Sequence, residues 1–94
     1  MSGYVIANYT VHNQQEYDKY PPVVGPTIAQ YGGKILIIDR DVNALEGEAR
    51  RVIVVLEFES VEAAQRWYDS PEYSAIKGLR TSASDGWLVI TEGL

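Results

Sequence analysis

Residues Arg51–Arg80 read RVIVVLEFESVEAAQRWYDSPEYSAIKGLR. Val52, Val54, Leu56 and Phe58 alternate with Arg51, Ile53, Val55 and Glu57, the period-two pattern of a strand running from Arg51 to Phe58. Ser60 follows as an N-cap, and Glu62 falls in the first turn, where the helix dipole favours an acid. Val61, Ala64 and Tyr68 mark an apolar stripe with Ala63 and Trp67 beside it. Ser70-Pro71-Glu72 then starts a second helix with a hydroxyl cap, proline at the first helical position and an acid behind it. That helix is expected to reach Gly78–Arg80.

Upstream, Tyr4–Val11 is rich in β-branched and aromatic residues and predicts a first strand. Both its faces, Val5/Ala7/Tyr9/Val11 and Tyr4/Ile6/Asn8/Thr10, are substantially apolar, as when a sheet is covered on each side. From Asn13, a plausible N-cap, Tyr17, Tyr20, Val24, Ile28 and Tyr31 recur at helical spacing. Pro21, Pro22, Gly25 and Pro26 interrupt that stripe, which predicts a break near Tyr20–Pro22, a restart toward Gln30 and an end at Gly32-Gly33. Lys34–Asp39 reads as a second strand, and the acidic run Asp41–Arg50 as an exposed connection. Thr81–Gly86 reads as a loop and Trp87–Thr91 as a fourth strand.

The order is βαββαβ. Right-handed crossovers place both main helices on one sheet face, which gives a ferredoxin-like α+β sandwich with an antiparallel sheet in the order 4-1-3-2. Residues 1–94 are expected to form a single domain. The uncovered face would carry Ile6, Ile53 and Val55 with residues from Ile35–Ile38 and Trp87–Ile90. A patch of that kind is unusual on a soluble monomer. Packing two sheets face to face buries it, so a homodimer in the form of an α+β barrel is the expected assembly.

The chain is 46% hydrophobic and carries a net charge of −5 with no basic run longer than Arg50-Arg51, which argues against nucleic acid as a partner. No cysteine is present, so disulfides, thiolate nucleophiles and Cys-based metal sites are excluded. No apolar run approaches the roughly 20 residues of a membrane span. The segment MSGYVIANYT does not read as a secretory signal, and a cytoplasmic location without membrane partners is expected.

The run VVLEF-ES-EAA-WY-SPEY, with Arg80 and the terminal TEGL, resembles the bacterial family catalogued as domain of unknown function 1330. Tyr31-Gly32-Gly33-Lys34 and Leu45-Glu46-Gly47 fit the same pattern, while the doubled proline Pro21-Pro22 departs from it. The resemblance implies a place in the dimeric α+β barrel superfamily, which includes cofactor-free monooxygenases, haem-dependent enzymes, isomerases and stress-response proteins. It implies fold and dimer but no particular chemistry.

Candidate site residues follow from the chemistry of single side chains. Glu57 shares the face of Ile53 and Val55 and is a candidate base inside a barrel, with Asn8 on the matching face of the first strand. His12 is the only histidine, and alone it cannot build a zinc site, so no metal is expected. It remains a candidate base or lone haem ligand, although no cofactor is implied by any motif. Arg80 suits either helix stabilisation, pairing with Glu72 or Glu57, or a ligand carboxylate. Trp67, Tyr68 and Tyr73 suit either a core or the wall of a ligand cage. Together these imply a small apolar or carboxylated organic ligand in a cleft between sheet and helices. As an enzyme the protein would be a cofactor-independent oxygenase or isomerase, with Glu57, His12 and Arg80 as catalytic candidates. The other class is a non-catalytic dimerisation, metabolite-sensing or stress-response module.

Overall fold

A computed structural model describes all residues from Met1 to Leu94. Four strands, β1 (Gly3–Val11), β2 (Lys34–Asp39), β3 (Val52–Phe58) and β4 (Ser84–Glu92), form one antiparallel sheet in the order β2-β3-β1-β4. This is the expected order read from the other edge. Five helical segments connect them: α1 (Gln14–Tyr17), α2 (Pro21–Gln30), α3 (Val61–Asp69), α4 (Pro71–Ser74) and α5 (Gly78–Thr81).

Alternation along the strands sorts the sheet into two faces. Val5, Ala7 and Tyr9 of β1 and Val52, Leu56 and Phe58 of β3 are buried on the helix side, with Ile28, Ala64, Trp67 and Tyr73 packed over them. On the other side Ile6 lies between Val55 and Val89, and Asn8 between Ile53 and Trp87. Leu36 is the extra residue of a bulge, since the β2–β3 register shifts between Ile35 and Ile37. Ile35 and Ile38 therefore pair with Leu56 and Val54 of the helix-side face, and Ile37 with Val55 of the open face.

The caps behave as the side chains dictate. Asn13 accepts the Glu16 amide, and Ser60 the Ala63 amide. Ser70 accepts the Tyr73 amide and donates to the Trp67 carbonyl, so one hydroxyl ends α3 and begins α4. The predicted break in the first helical stretch falls at Asp18–Tyr20, and α2 restarts at Pro21. Pro21 and Pro22 occupy first-turn positions whose amides have no intrahelical partner in any helix. Pro26 lies inside α2. Its carbonyl partner would have been Pro22 in the first turn, and Gly25 before it has no Cβ to meet the proline ring. Gly32, at φ +78°, closes the segment in the left-handed region as expected.

Two boundaries differ from the sequence reading. β4 begins at Ser84 rather than Trp87, because Ser84, Asp85 and Gly86 pair with Val11, Thr10 and Tyr9. Gly86 resembles a loop residue in isolation, but here it makes room: a Cβ would collide with the Asn8 carbonyl and Tyr9. The helix after Ser70 is also two pieces. Around Ile76–Arg80 the backbone bonds tighten to three-residue spacing, with Leu79 on Ile76 and Arg80 on Lys77, and this turn separates α4 from α5.

Candidate functional site

A cleft of about 90 Å³ opens between the helix-side face of the sheet and the helices. Thirteen of its seventeen lining residues are hydrophobic, and its only charged residues are Arg40 and Arg80. β1 supplies Tyr9, the end of α1 Tyr17, the start of α2 Tyr20, α3 Trp67 and α5 Arg80, while Ile35, Ile38 and Arg40 reach it from β2 and its end. A chain with thirteen acids and eight basic residues thus lines its cleft with two cations and no carboxylate.

Arg80 is 7% exposed, and its Nε has no hydrogen-bond partner. The guanidinium makes one long bond, from Nη2 to the Tyr73 hydroxyl at 3.4 Å, and its carbon stands 5.7 Å from the Tyr9 ring centroid. No carboxylate lies within ion-pair distance of it. Burial works against its charge, but the Tyr73 and Tyr20 oxygens outweigh that effect and hold its pKa above the ordinary value. Glu72 and Glu57, the two acids expected as its partners, are engaged elsewhere. Glu72 accepts from Tyr31 at 2.7 Å and from Gln30 at 3.2 Å, and the Tyr31 bond in particular lowers its pKa. Glu57 accepts from the Tyr4 hydroxyl at 2.9 Å on the opposite face of the sheet.

Two tyrosine pairs flank the guanidinium. The hydroxyls of Tyr9 and Tyr17 lie 2.6 Å apart, and those of Tyr20 and Tyr73 2.9 Å apart. Burial first, and then the bond to Tyr17, raises the pKa of Tyr9 far above the usual phenol range. Burial and the neighbouring Tyr73 do the same for Tyr20. Tyr9 and Tyr20 therefore stay protonated at neutral pH. Trp67 stacks on Tyr73 at 4.1 Å and donates its indole N–H to Thr27 at 3.0 Å, so its polar atom is satisfied within the core.

Of the residues singled out in the sequence, Trp67 and Arg80 line this cleft, and Tyr73, fully buried, stands behind it in contact with both. Tyr68 does not line the cleft; partly buried against the core, its ring lies 5.6 Å from that of Tyr73 and 4.6 Å from the Lys77 ammonium. Asn8 is buried on the open face, where its amide donates to the Arg50 and Val52 carbonyls and accepts from the Arg50 amide. His12 is half exposed past the end of β1, 3.6 Å from Asp85. Glu57, Asn8 and His12 therefore lie outside the cleft. Sequence reasoning singled out neither Tyr9 nor Arg40. Tyr9 carried a weak signal as the bulkiest residue on the inner face of its strand, and Arg40 carried none.

Four antiparallel strands with the helices on one face, enclosing a donor-lined apolar cleft, define a ferredoxin-like α+β protein. The chain belongs to the family described as domain of unknown function (DUF1330), whose model matches residues 2–94. Among solved structures it is similar to RPA0582, a protein of unknown function from Rhodopseudomonas palustris, with TM-score 0.82 and 20% identity over 99% of this chain and 82% of that one. It is also similar to SnoaB, a cofactor-independent oxygenase from Streptomyces nogalater, with TM-score 0.72 and 11% identity over 99% and 93% of the two chains. A dimeric protein of unknown function and ferredoxin-like fold from Bacteroides fragilis gives TM-score 0.57 and 15% identity over 98% and 96%. No curated protein matches the sequence.

Proposed function

We propose that this protein binds a small organic acid in the cleft between sheet and helices, and does so as a homodimer assembled through the open sheet face. The observation that carries the first part is Arg80, a buried guanidinium in an apolar cleft with no carboxylate beside it. Burying an uncompensated charge costs several kcal/mol, so a protein keeps one where a ligand supplies the counter-charge. The apolar lining suits the body of an aromatic or short aliphatic molecule, and the guanidinium its carboxylate. The dimer is supported by the apolar open face and by the dimeric Bacteroides fragilis neighbour.

Catalysis by this cleft would be cofactor-independent oxygenation or isomerisation of a polarised aromatic or carbonyl compound, with Arg80 and the tyrosine hydroxyls facing the developing negative charge. SnoaB supports this extension by fold. The other reading is a metabolite-sensing module, favoured by the absence of any carboxylate or imidazole from the cleft wall.

Thermal shift against a panel of aromatic and aliphatic carboxylic acids and their primary amides tests the site. At a hundredfold excess over Kd, a bound acid stabilises by about 2.7 kcal/mol, which is several degrees in Tm for a chain of this size. The acids are expected to raise the Tm of the wild type, the amides to leave it unchanged, and Arg80→Met to abolish the response. A wild type indifferent to every acid sinks the reading.

A further inference from the structure

The wall of the cleft carries more information than the presence of a cation. We propose that the cleft takes an organic oxyanion already ionised in solution, a carboxylate or the anion of an acidic phenol or enol, and holds no group that removes the ligand's proton. This rests on the reading of the cleft as a small-acid site and specifies the state in which the acid enters.

The hydroxyl hydrogens around the guanidinium outnumber their acceptors. Each tyrosine pair has two hydroxyl hydrogens and one hydroxyl–hydroxyl bond, and neither pair has another acceptor. One O–H in each pair is left without a partner, whichever oxygen donates. Tyr9, Tyr17 and Tyr20 line the cleft themselves. Arg80 adds a guanidinium with five N–H donors of which one is used, at 3.4 Å. The site therefore offers spare donors from the guanidinium, from the Tyr9–Tyr17 pair, and from Tyr20 when Tyr73, which already accepts from Arg80, donates to it. An oxyanion with several lone pairs satisfies them together; a neutral hydroxyl, itself a donor, does not.

Apart from Arg40 and Arg80, the acids and bases on the surrounding elements stand outside the cleft. On α1, Glu16 pairs with Lys19 and Asp18 accepts from Gln14. On α3 Asp69 accepts from Gln65, and on α4 Glu72 is held by Tyr31 and Gln30. Asp85 of β4 faces His12 at the sheet end, and Glu57 of β3 lies on the opposite face. Lys77, between α4 and α5, lies over the Tyr68 ring and does not line the cleft. What remains in the cleft is two guanidinium groups, which are donors only, and tyrosine hydroxyls, with no carboxylate or imidazole to act as a base. A weak acid must then meet the cost of its own ionisation before it binds. Its apparent affinity falls by the fraction ionised, about tenfold for each pH unit below its own pKa.

A series of ring-substituted phenols of similar size, with pKa values from near neutral up to that of phenol at about 10, tests this together with benzoate and the phenols' methyl ethers. Kd is measured calorimetrically on the wild type between about pH 6 and about pH 9. Each phenol is expected to tighten about tenfold per pH unit until the pH passes its own pKa, and benzoate to bind evenly throughout. Tyr17→Phe and Tyr20→Phe are expected to weaken plateau binding about tenfold without moving any midpoint. A midpoint common to all the phenols means that a protein base is titrating and overturns the inference while leaving the small-acid site intact. A methyl ether that binds as tightly as its phenolate overturns it as well. If neither benzoate nor any phenol binds at any pH, the small-acid site falls and the inference with it.

Discussion

A guanidinium presents five donors, and Arg80 satisfies one of them poorly. Replacing even a buried ion pair by apolar side chains of similar volume is often neutral or stabilising by about 1–4 kcal/mol, and a guanidinium without a counter-ion has less attraction to lose. Arg80→Met is therefore expected to hold or raise the urea midpoint of the ligand-free protein while losing its response to acids. If Arg80 served the fold, the same substitution would lower the midpoint. The tyrosines around it make a second prediction. Raised pKa values for Tyr9 and Tyr20 mean that the folded state holds their protons more tightly than the unfolded state. The stability this contributes is complete below the unfolded phenol value of about 10 and is lost as pH rises beyond it. In an ultraviolet titration of the seven tyrosines, the phenolates of these two are expected only as the circular dichroism of the fold collapses. A single ionisation step for all seven near the ordinary value, with the fold intact, would contradict their burial.

Caps and breaks set the elements, and Ser70 shows how closely they are tied to the cleft. Its hydroxyl accepts the Tyr73 amide at 3.1 Å and donates to the Trp67 carbonyl at 2.7 Å, within the core. Ser60 makes a single bond, to the Ala63 amide at the outer end of α3. Loss of an N-cap costs about 1 kcal/mol. Ser60→Ala is expected to cost that much in urea denaturation and to leave acid binding unchanged. Ser70→Ala should cost more, about 2 kcal/mol, and weaken acid binding, because Tyr73 and its bonds to Tyr20 and Arg80 hang from that cap. Equal effects of the two on binding would detach Tyr73 from the site. Ser60, Ser70 and Pro71 were legible in the sequence because a cap is a local device, written within four residues. The inner face of β3 was legible for the same reason. The start of β4 was not, since Ser84–Gly86 owe their strand to Tyr9, Thr10 and Val11 some seventy residues away. The cleft shows the same division. Arg80 stood out as a cation near a helix end, but its solitude depends on Glu57 falling on the far face and Glu72 turning to Tyr31. Those are outcomes of packing, invisible to spacing.

The whole molecule is lopsided, with helices on one face of the sheet and an apolar expanse on the other. Ile37, Trp87 and Val89 are 48, 47 and 45% exposed, and Ile6, Ile53 and Val55 are half-buried between them. Adjacent strands bring Val89, Ile6 and Val55 into a row across the centre of this face, so it forms a contiguous patch rather than scattered side chains. Leaving it in water forgoes about 25 cal/mol for each Å² of apolar surface that a second sheet would cover. A two-fold pairing of like faces closes on itself and leaves no further apolar surface to propagate. In sedimentation at micromolar concentration the wild type is therefore expected at twice the 10.5 kDa chain mass. Val89→Asp places a charge at the β4 end of this row, where pairing would bury it without a partner, and should yield monomer. Leu45→Asp makes the same chemical change in the exposed connection between β2 and β3, where Leu45 is 85% exposed, and should leave the dimer intact. The cleft lies on the other side of the sheet, so a folded Val89→Asp monomer is expected to bind benzoate as the wild type does. A wild type that sediments as a monomer would refute the dimer without touching the cleft. Loss of benzoate binding on monomerisation would instead show that the two faces act together.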